Sequence, residues 1–150
     1  MKKLSIVVVL LLSLSVFAQK TEWLTDYNKA AKLAKRKHKP ILANFTGSDW
    51  CGWCKRLDKE VFSTPEFAKW AKKNVILLKL DFPRRTKLNP ELKKQNYALQ
   101  RAFGVRGYPT IWLFNPGKGE NPKKDMEPLG KIGYVSGGFK KWVASIKKYL

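Results

Sequence analysis

The stretch Ile41-Leu42-Ala43-Asn44-Phe45-Thr46-Gly47-Ser48-Asp49-Trp50-Cys51-Gly52-Trp53-Cys54 passes from an apolar run, through turn-forming residues, to a pair of cysteines. Ile41 to Phe45 has the length and composition of a buried strand. Thr46 to Trp50 reads as the loop that follows. From Cys51 onward, Trp53, Cys54, Leu57, Val61 and Phe62 recur at helical spacing. Cys51 therefore opens a helix directly after a strand. A thiol at that point faces unpaired backbone N–H groups and the positive end of the helix dipole. Both favour the thiolate, the form that attacks a disulfide. Cys54, one turn on, lies on the same side of the helix and is placed to release a substrate held on Cys51. Gly52 lets a partner backbone approach. Trp50 and Trp53 flank the thiol with apolar surface on which a partner chain can dock. Lys55 and Arg56 add positive charge nearby, and Asp49 works against them.

These two cysteines are the only ones in the chain. Disulfides that stabilise a fold close long loops, and a three-residue spacing closes almost none. The value of the pair is chemical rather than structural. A structural zinc ion commonly takes four Cys or His ligands. The one histidine, His38, precedes the strand, so a metal centre is not expected.

Outward from this centre, the N-terminus reads differently from the rest. Lys2 and Lys3 precede an apolar run from Ile6 to Val16, broken only by serines, and Val16-Phe17-Ala18 offers small residues where a signal peptidase cuts. The run is well short of the roughly 20 residues of a membrane-spanning helix. Residues 1–18 are expected to be a signal peptide cleaved after Ala18. Residues 19–150 then form one domain, exported to a periplasmic or extracellular space. The net charge is +20, two of it from Lys2 and Lys3, and it is spread over many Lys and Arg pairs. Most of these read as solvated helix faces and loops. An exported basic protein meets acidic partners or anionic lipid surfaces and little nucleic acid.

Leu24 to Lys37 carries apolar residues at helical spacing, and Pro40 stops that helix. Thr64-Pro65 restarts the active-site helix with a cap and a first-turn proline. Phe67, Trp70 and Ala71 share one face of it. Val75 to Leu80 is a second buried strand, followed by a basic loop from Pro83 to Leu88. Asn89-Pro90-Glu91 opens a helix that runs to about Phe103 and ends at Gly104. Thr110 to Phe114 is a strand, Asn115 to Pro128 a long turn, and Leu129 to Tyr134 the returning strand. Ser136 is expected to cap a last helix with Phe139, Trp142, Val143, Ile146 and Leu150 on its apolar face. This order gives an α/β domain, a mixed sheet sandwiched between helices.

Ile41 to Phe45 followed by Trp50-Cys51-Gly52-Trp53-Cys54-Lys55 resembles the active-site strand, loop and helix of the thioredoxin superfamily. Val105-Arg106-Gly107-Tyr108-Pro109-Thr110 resembles its cis-proline segment, and Gly133 to Phe139 its final strand-to-helix turn. The resemblance runs over most of residues 22–150. Gly47 to Cys51 and Phe62 to Phe67 further resemble exported single-domain relatives grouped with disulfide reductases and isomerases. The resemblance implies a thioredoxin-like fold and a redox-active Cys51–Cys54 pair without a cofactor. It also implies a cis bond before Pro109 that turns the Tyr108 backbone outward to pair with an extended substrate. Trp50, Gly52, Trp53, Tyr108 and Pro109 would then form the substrate-binding surface. The chain departs from the family at three places. Asn44 stands where the family often has a buried acid, and it cannot accept a proton as a carboxylate can. Leu77 stands where that acid's lysine partner is common, with Lys79 two residues on. The segment Phe82 to Ala98 is longer than in the simplest members.

The expected activity is thiol–disulfide exchange on exported proteins, in the reductase or isomerase direction. Gly52-Trp53 places no histidine between the cysteines, which leans toward a reducing protein. Such a protein draws electrons from a donor in the membrane and works as a monomer. The competing reading is a binding module that recruits acidic or hydrophobic partners, with the Cys pair a passive clip. The placement of Cys51 generates a direct expectation. Its alkylation rate against pH should have a midpoint below the ordinary thiol value of about 8.5. A midpoint at or above that value contradicts activation by the helix start.

Overall fold

Every residue of strand β1 (Ile41–Thr46) is buried. A strand with no exposed side chain needs a partner along both edges and cover on both faces. The structure, a computed structural model, describes residues 21–117 and 125–150 and meets both needs. The expected signal peptide, and the middle of the long turn after Asn115, lie outside the described residues. β1 pairs in parallel with β2 (Ile76–Asp81) and antiparallel with β3 (Thr110–Asn115). β4 (Glu127–Ile132) pairs antiparallel with β3 and completes a four-stranded sheet of order β2-β1-β3-β4.

Alternate residues of β1 enter two different cores, as the two-residue period of a strand requires. Ile41, Ala43 and Phe45 pack with Tyr27, Ala30, Ala31 and Ala34 of α1 (Tyr27–Lys37) and with Leu99 of α4 (Pro90–Ala102). Leu42 packs on the opposite face with Leu57 of α2 (Gly52–Leu57), Phe67 and Ala71 of α3 (Pro65–Asn74), and Trp142 and Ile146 of α5 (Gly138–Ile146). The domain is the expected α/β sandwich. Its second core is built around Trp142, fully buried, with the rings of Phe62, Phe67 and Trp70 at 5.4, 5.9 and 6.1 Å.

Two helix starts form as their cap residues predict. Thr64 caps α3 by accepting the Phe67 N–H, and Asn89 caps α4 through the Glu91 and Leu92 N–H groups. The first helix is shorter than its apolar spacing suggests. Asp26 caps it by accepting the Lys29 N–H at 3.1 Å. Leu24 instead bridges to Leu78, donating to the Leu77 carbonyl and accepting from the Lys79 N–H. A residue with an edge strand beside it gains two backbone bonds there that a frayed helix start would lack.

Four further corrections concern the second half and the active-site helix. β4 covers Glu127–Ile132 rather than Leu129–Tyr134, with a register shift opposite Leu113 and Phe114. Ser136 does not cap α5. Gly137 at the N-cap position and Gly138 at the first helical position, with φ 103° and 71°, turn the chain after Ser136, and no side chain caps the helix. Leu150 is exposed, because the chain tightens into a 3₁₀ turn at Lys147–Tyr149 that turns Tyr149 onto the second core instead. Finally, α2 widens into a π turn over Asp58–Phe62, which buries Val61 and Phe62 side by side. Its cap at Ser63 returns an N–H to the Asp58 carbonyl at 2.8 Å.

Replacing Trp142 with Ala empties the centre of the second core. Urea unfolding should show a loss of about 3–5 kcal/mol. A loss under about 1 kcal/mol contradicts the packing described.

Candidate active site

β1 ends at Thr46, and the next five residues fold back so that the Gly47 carbonyl accepts the N–H groups of Trp50 and Cys51 at 3.3 and 2.9 Å. A Cβ on Gly47 would fall 2.5 Å from the Trp50 indole, so only glycine fits this turn. Cys51 is the N-cap of α2 with an extended backbone, and its Sγ accepts the Cys54 N–H at 3.2 Å. Sulfur therefore occupies the place that a Ser or Asp oxygen holds in an ordinary cap. Cys51 and Cys54 are joined by a disulfide with a Cα–Cα distance of 5.3 Å. Both are buried, at 6% and 5% exposure, whereas Gly52 and Trp53 between them are exposed. The pair is reached from the helix-start side, past these two residues.

Two aromatic contacts frame the pair. Trp50 donates its Nε1–H to the Phe82 carbonyl at 2.8 Å and packs edge-on against Tyr108, with ring centroids 5.8 Å apart. This contact brings the Tyr108–Pro109 segment to the active-site loop, and the peptide before Pro109 is cis, as expected. The Tyr108 hydroxyl accepts from Gln100 Nε2 at 2.7 Å, and burial pushes its pKa up to about 12, so the ring stays neutral. On the other side Trp53 leans on Tyr134, 5.2 Å away. The Tyr134 hydroxyl donates to Glu60 at 2.6 Å, and Arg56 donates to the same carboxylate at 2.7 Å. These hydrogen bonds, Tyr134's first, hold the Glu60 carboxyl below its ordinary range. The Arg56 guanidinium lies 5.7 Å from the centre of the Trp53 ring and 5.5 Å from that of Tyr134.

Asn44 lies on the face of β1 that carries α2, in register with Lys79 on β2 and Ile111 on β3. It is buried, and its Oδ1 has no hydrogen-bond partner. An amide here carries no charge into the sheet, where an isolated carboxylate would be costly.

Sequence reasoning placed Asp49 as a negative charge beside the thiol. The structure turns it outward instead. Its carboxylate accepts the backbone N–H groups of Arg84, Arg85 and Thr86 at 3.0, 2.8 and 3.0 Å. The bond from the Arg84 backbone, supported by those of Arg85 and Thr86, lowers its pKa to about 2. Asp81, at the end of β2, accepts the Ser48 N–H and hydroxyl at 2.9 and 2.5 Å. The loop after β2 is thus tied to the loop after β1 by residues 33 to 37 positions apart in the chain. No local sequence pattern announces such ties; two aspartates in turn-rich segments were the only signal.

Residues 27–128 match the thioredoxin-like domain family, which is more than half of the chain. The chain belongs to that family. It is 30% identical over 121 residues to the disulfide bond reductase DsbH of Chlamydia pneumoniae, covering 81% of this chain and 72% of that protein. It is 27% identical over 146 residues to the thioredoxin-related protein DsbJ of the same organism, covering 91% of this chain and 40% of that longer protein. A solved DsbH oxidoreductase superposes with a TM-score of 0.76 at 27% identity, over 87% of this chain and 85% of that one. A thioredoxin from Thermus thermophilus, at 19% identity and a TM-score of 0.60 over 86% of each chain, shares the fold. With a disulfide-forming Cys51–Cys54 pair at the helix start, this thioredoxin-like protein is a thiol–disulfide oxidoreductase.

The ties through Asp49 yield an expectation. In the Asp49→Ala variant the amide protons of Arg84, Arg85 and Thr86 should exchange at least about tenfold faster. In the unchanged protein the stabilisation from Asp49 is complete above the ordinary carboxylate pKa of about 3.9. It is lost as pH falls through about 2. Unaltered exchange at these three amides contradicts the clamp.

Proposed function

We propose that this protein reduces disulfides of exported polypeptides, with Cys51 as the nucleophile and Cys54 as the resolving thiol. The observation that carries the assignment is the N-cap position of Cys51, whose sulfur already accepts the Cys54 N–H. In the reduced protein the Cys51 thiolate attacks one sulfur of a substrate disulfide. The Cys51–substrate bond forms, the substrate bond breaks, and the departing sulfur takes a proton. Cys54, as thiolate, then attacks Cys51 Sγ. The Cys51–Cys54 bond forms, and the second substrate sulfur leaves and is protonated. Two electrons and two protons have passed to the substrate, and the Cys51–Cys54 disulfide remains. Regenerating the dithiol requires an external dithiol donor, and for an exported protein that donor sits in the membrane. The reducing direction is supported by the likeness to a protein named disulfide bond reductase and by the absence of a histidine between the cysteines.

Trp50, Gly52, Trp53, Tyr108 and Pro109 form the surface that holds the substrate. Gly52 and Trp53 are exposed beside the pair, and Trp50 and Tyr108 touch on its other flank. An extended segment laid along the Tyr108 backbone gains main-chain hydrogen bonds with little sequence preference. This suits an enzyme acting on many proteins. Export rests on residues 1–18 acting as a signal peptide cleaved after Ala18. N-terminal sequencing of the protein recovered outside the cytoplasm should begin at Gln19.

The roles of the two thiols separate cleanly by substitution. Cys54→Ser should accumulate mixed disulfides with substrate, visible as mass adducts that a reductant removes. Cys51→Ser should form none and lose all exchange. Adducts on Cys51→Ser in place of Cys54→Ser reverse the assignment.

A further inference from the structure

The cationic loop between β2 and α4 has no part in the exchange chemistry, yet the structure fixes it against the entrance to the thiols. Asp49 holds the backbone of Arg84, Arg85 and Thr86, Asp81 holds Ser48, and Trp50 Nε1 holds the Phe82 carbonyl. All three anchoring residues on the first loop lie within three positions of Cys51. The Arg84 guanidinium sits 3.7 Å above the Trp50 ring. A guanidinium stacked in this way keeps its edge N–H groups free for a carboxylate. Beside it is a cleft of about 300 Å³ whose lining includes Phe82, Arg84, Lys87, Lys93 and Tyr97, with Asp81 as its one acid.

The charge of this cleft is unbalanced. Arg84, Arg85, Lys87 and Lys93 are exposed, and among the described residues none is in an ion pair. The nearby carboxylates accept from other groups, Asp49 from the backbone N–H groups of this loop and Asp81 from Ser48, and none forms an ion pair with these four side chains. Holding several like charges on one short loop is unfavourable unless an anion comes to meet them. The loop is anchored to Ser48, Asp49 and Trp50, the three residues that precede Cys51, so the anion it fits belongs to the polypeptide being reduced.

We propose that the Arg84–Lys87 loop with Lys93 is a docking wall for acidic segments of substrate, carrying Asp or Glu within a few residues of the reacting cysteine. The proposal rests on the disulfide exchange proposed above and adds the substrate class to it. Two peptide disulfides differing only by Glu or Gln beside the cysteine compare the classes directly. The native protein should reduce the Glu peptide with about tenfold higher kcat/KM at low salt, the sum of several exposed charge pairs. The preference should shrink several-fold near 0.5 M salt. Arg84→Gln with Lys87→Gln should cut it below about twofold by raising KM for the Glu peptide. Equal reduction of both peptides by the native protein, or an undiminished preference in the variant, overturns the docking wall while exchange itself stands. A binding measurement keeps the proposal testable without turnover. A cysteine-free Glu-rich peptide added to the oxidised protein should shift the amide resonances of residues 84–87. Shifts confined to other basic faces overturn it. So do phosphatidylglycerol vesicles that bind through residues 84–87 when the peptide leaves them unmoved.

Discussion

The turn from Gly47 to Cys51 is the constraint on which the rest of the site depends. β1 is buried on both faces and paired on both edges, so its end point is fixed by the two cores. The Gly47 carbonyl, accepting from both Trp50 and Cys51, converts that end point into the first residue of a helix within five positions. The missing Cβ at Gly47 is what lets the Trp50 indole close over the turn. Once Trp50 is placed, it locates Tyr108 on one side and the Phe82 carbonyl on the other. A single tight turn thereby sets the thiol, the cis-proline segment and the basic loop in one geometry. A reactive group gains from such preorganisation because no ordering remains to be done when the substrate arrives.

The electrostatics around the thiols follow from how the acids are used. Each carboxylate near the site is engaged: Asp49 by backbone N–H groups, Asp81 by Ser48, Glu60 by Tyr134 and Arg56. None is left free beside Cys51 among the described residues. The helix start and the surrounding cations favour the thiolate, while the bonds Asp49 accepts hold its charge against the backbone of residues 84–86. The Tyr134–Glu60–Arg56 group also sets the tilt of Trp53, the most exposed large aromatic next to the pair. The π turn that carries Glu60 is part of the same device, because it is there that α2 stops following a regular helix.

Much of this was legible in the sequence where the deciding physics is local. The strand-to-helix passage at Cys51 and the caps at Thr64 and Asn89 rest on residues adjacent in the chain, whereas the cis bond before Pro109 followed from the family resemblance. The failures share one cause. Leu24 leaves its helix for a bond to β2, Asp49 turns from the thiol to residues 84–86, and Ser136 yields to a double-glycine turn. In the first two cases a partner more than thirty residues away outcompetes the local preference. In the third, a backbone at positive φ decides the geometry before a side chain can act. The π turn had no sequence signal of its own, since apolar residues at 57, 61 and 62 suit either helix.

The central claim is that the Cys51–Cys54 pair exchanges disulfides catalytically. The reduction of insulin by dithiothreitol, followed as turbidity with and without the protein, tests it most directly. The account predicts that a micromolar amount of the protein shortens the lag well below the uncatalysed one, and that Cys51→Ser restores the uncatalysed lag. A lag unchanged by the folded native protein contradicts the account and would leave the pair a passive clip.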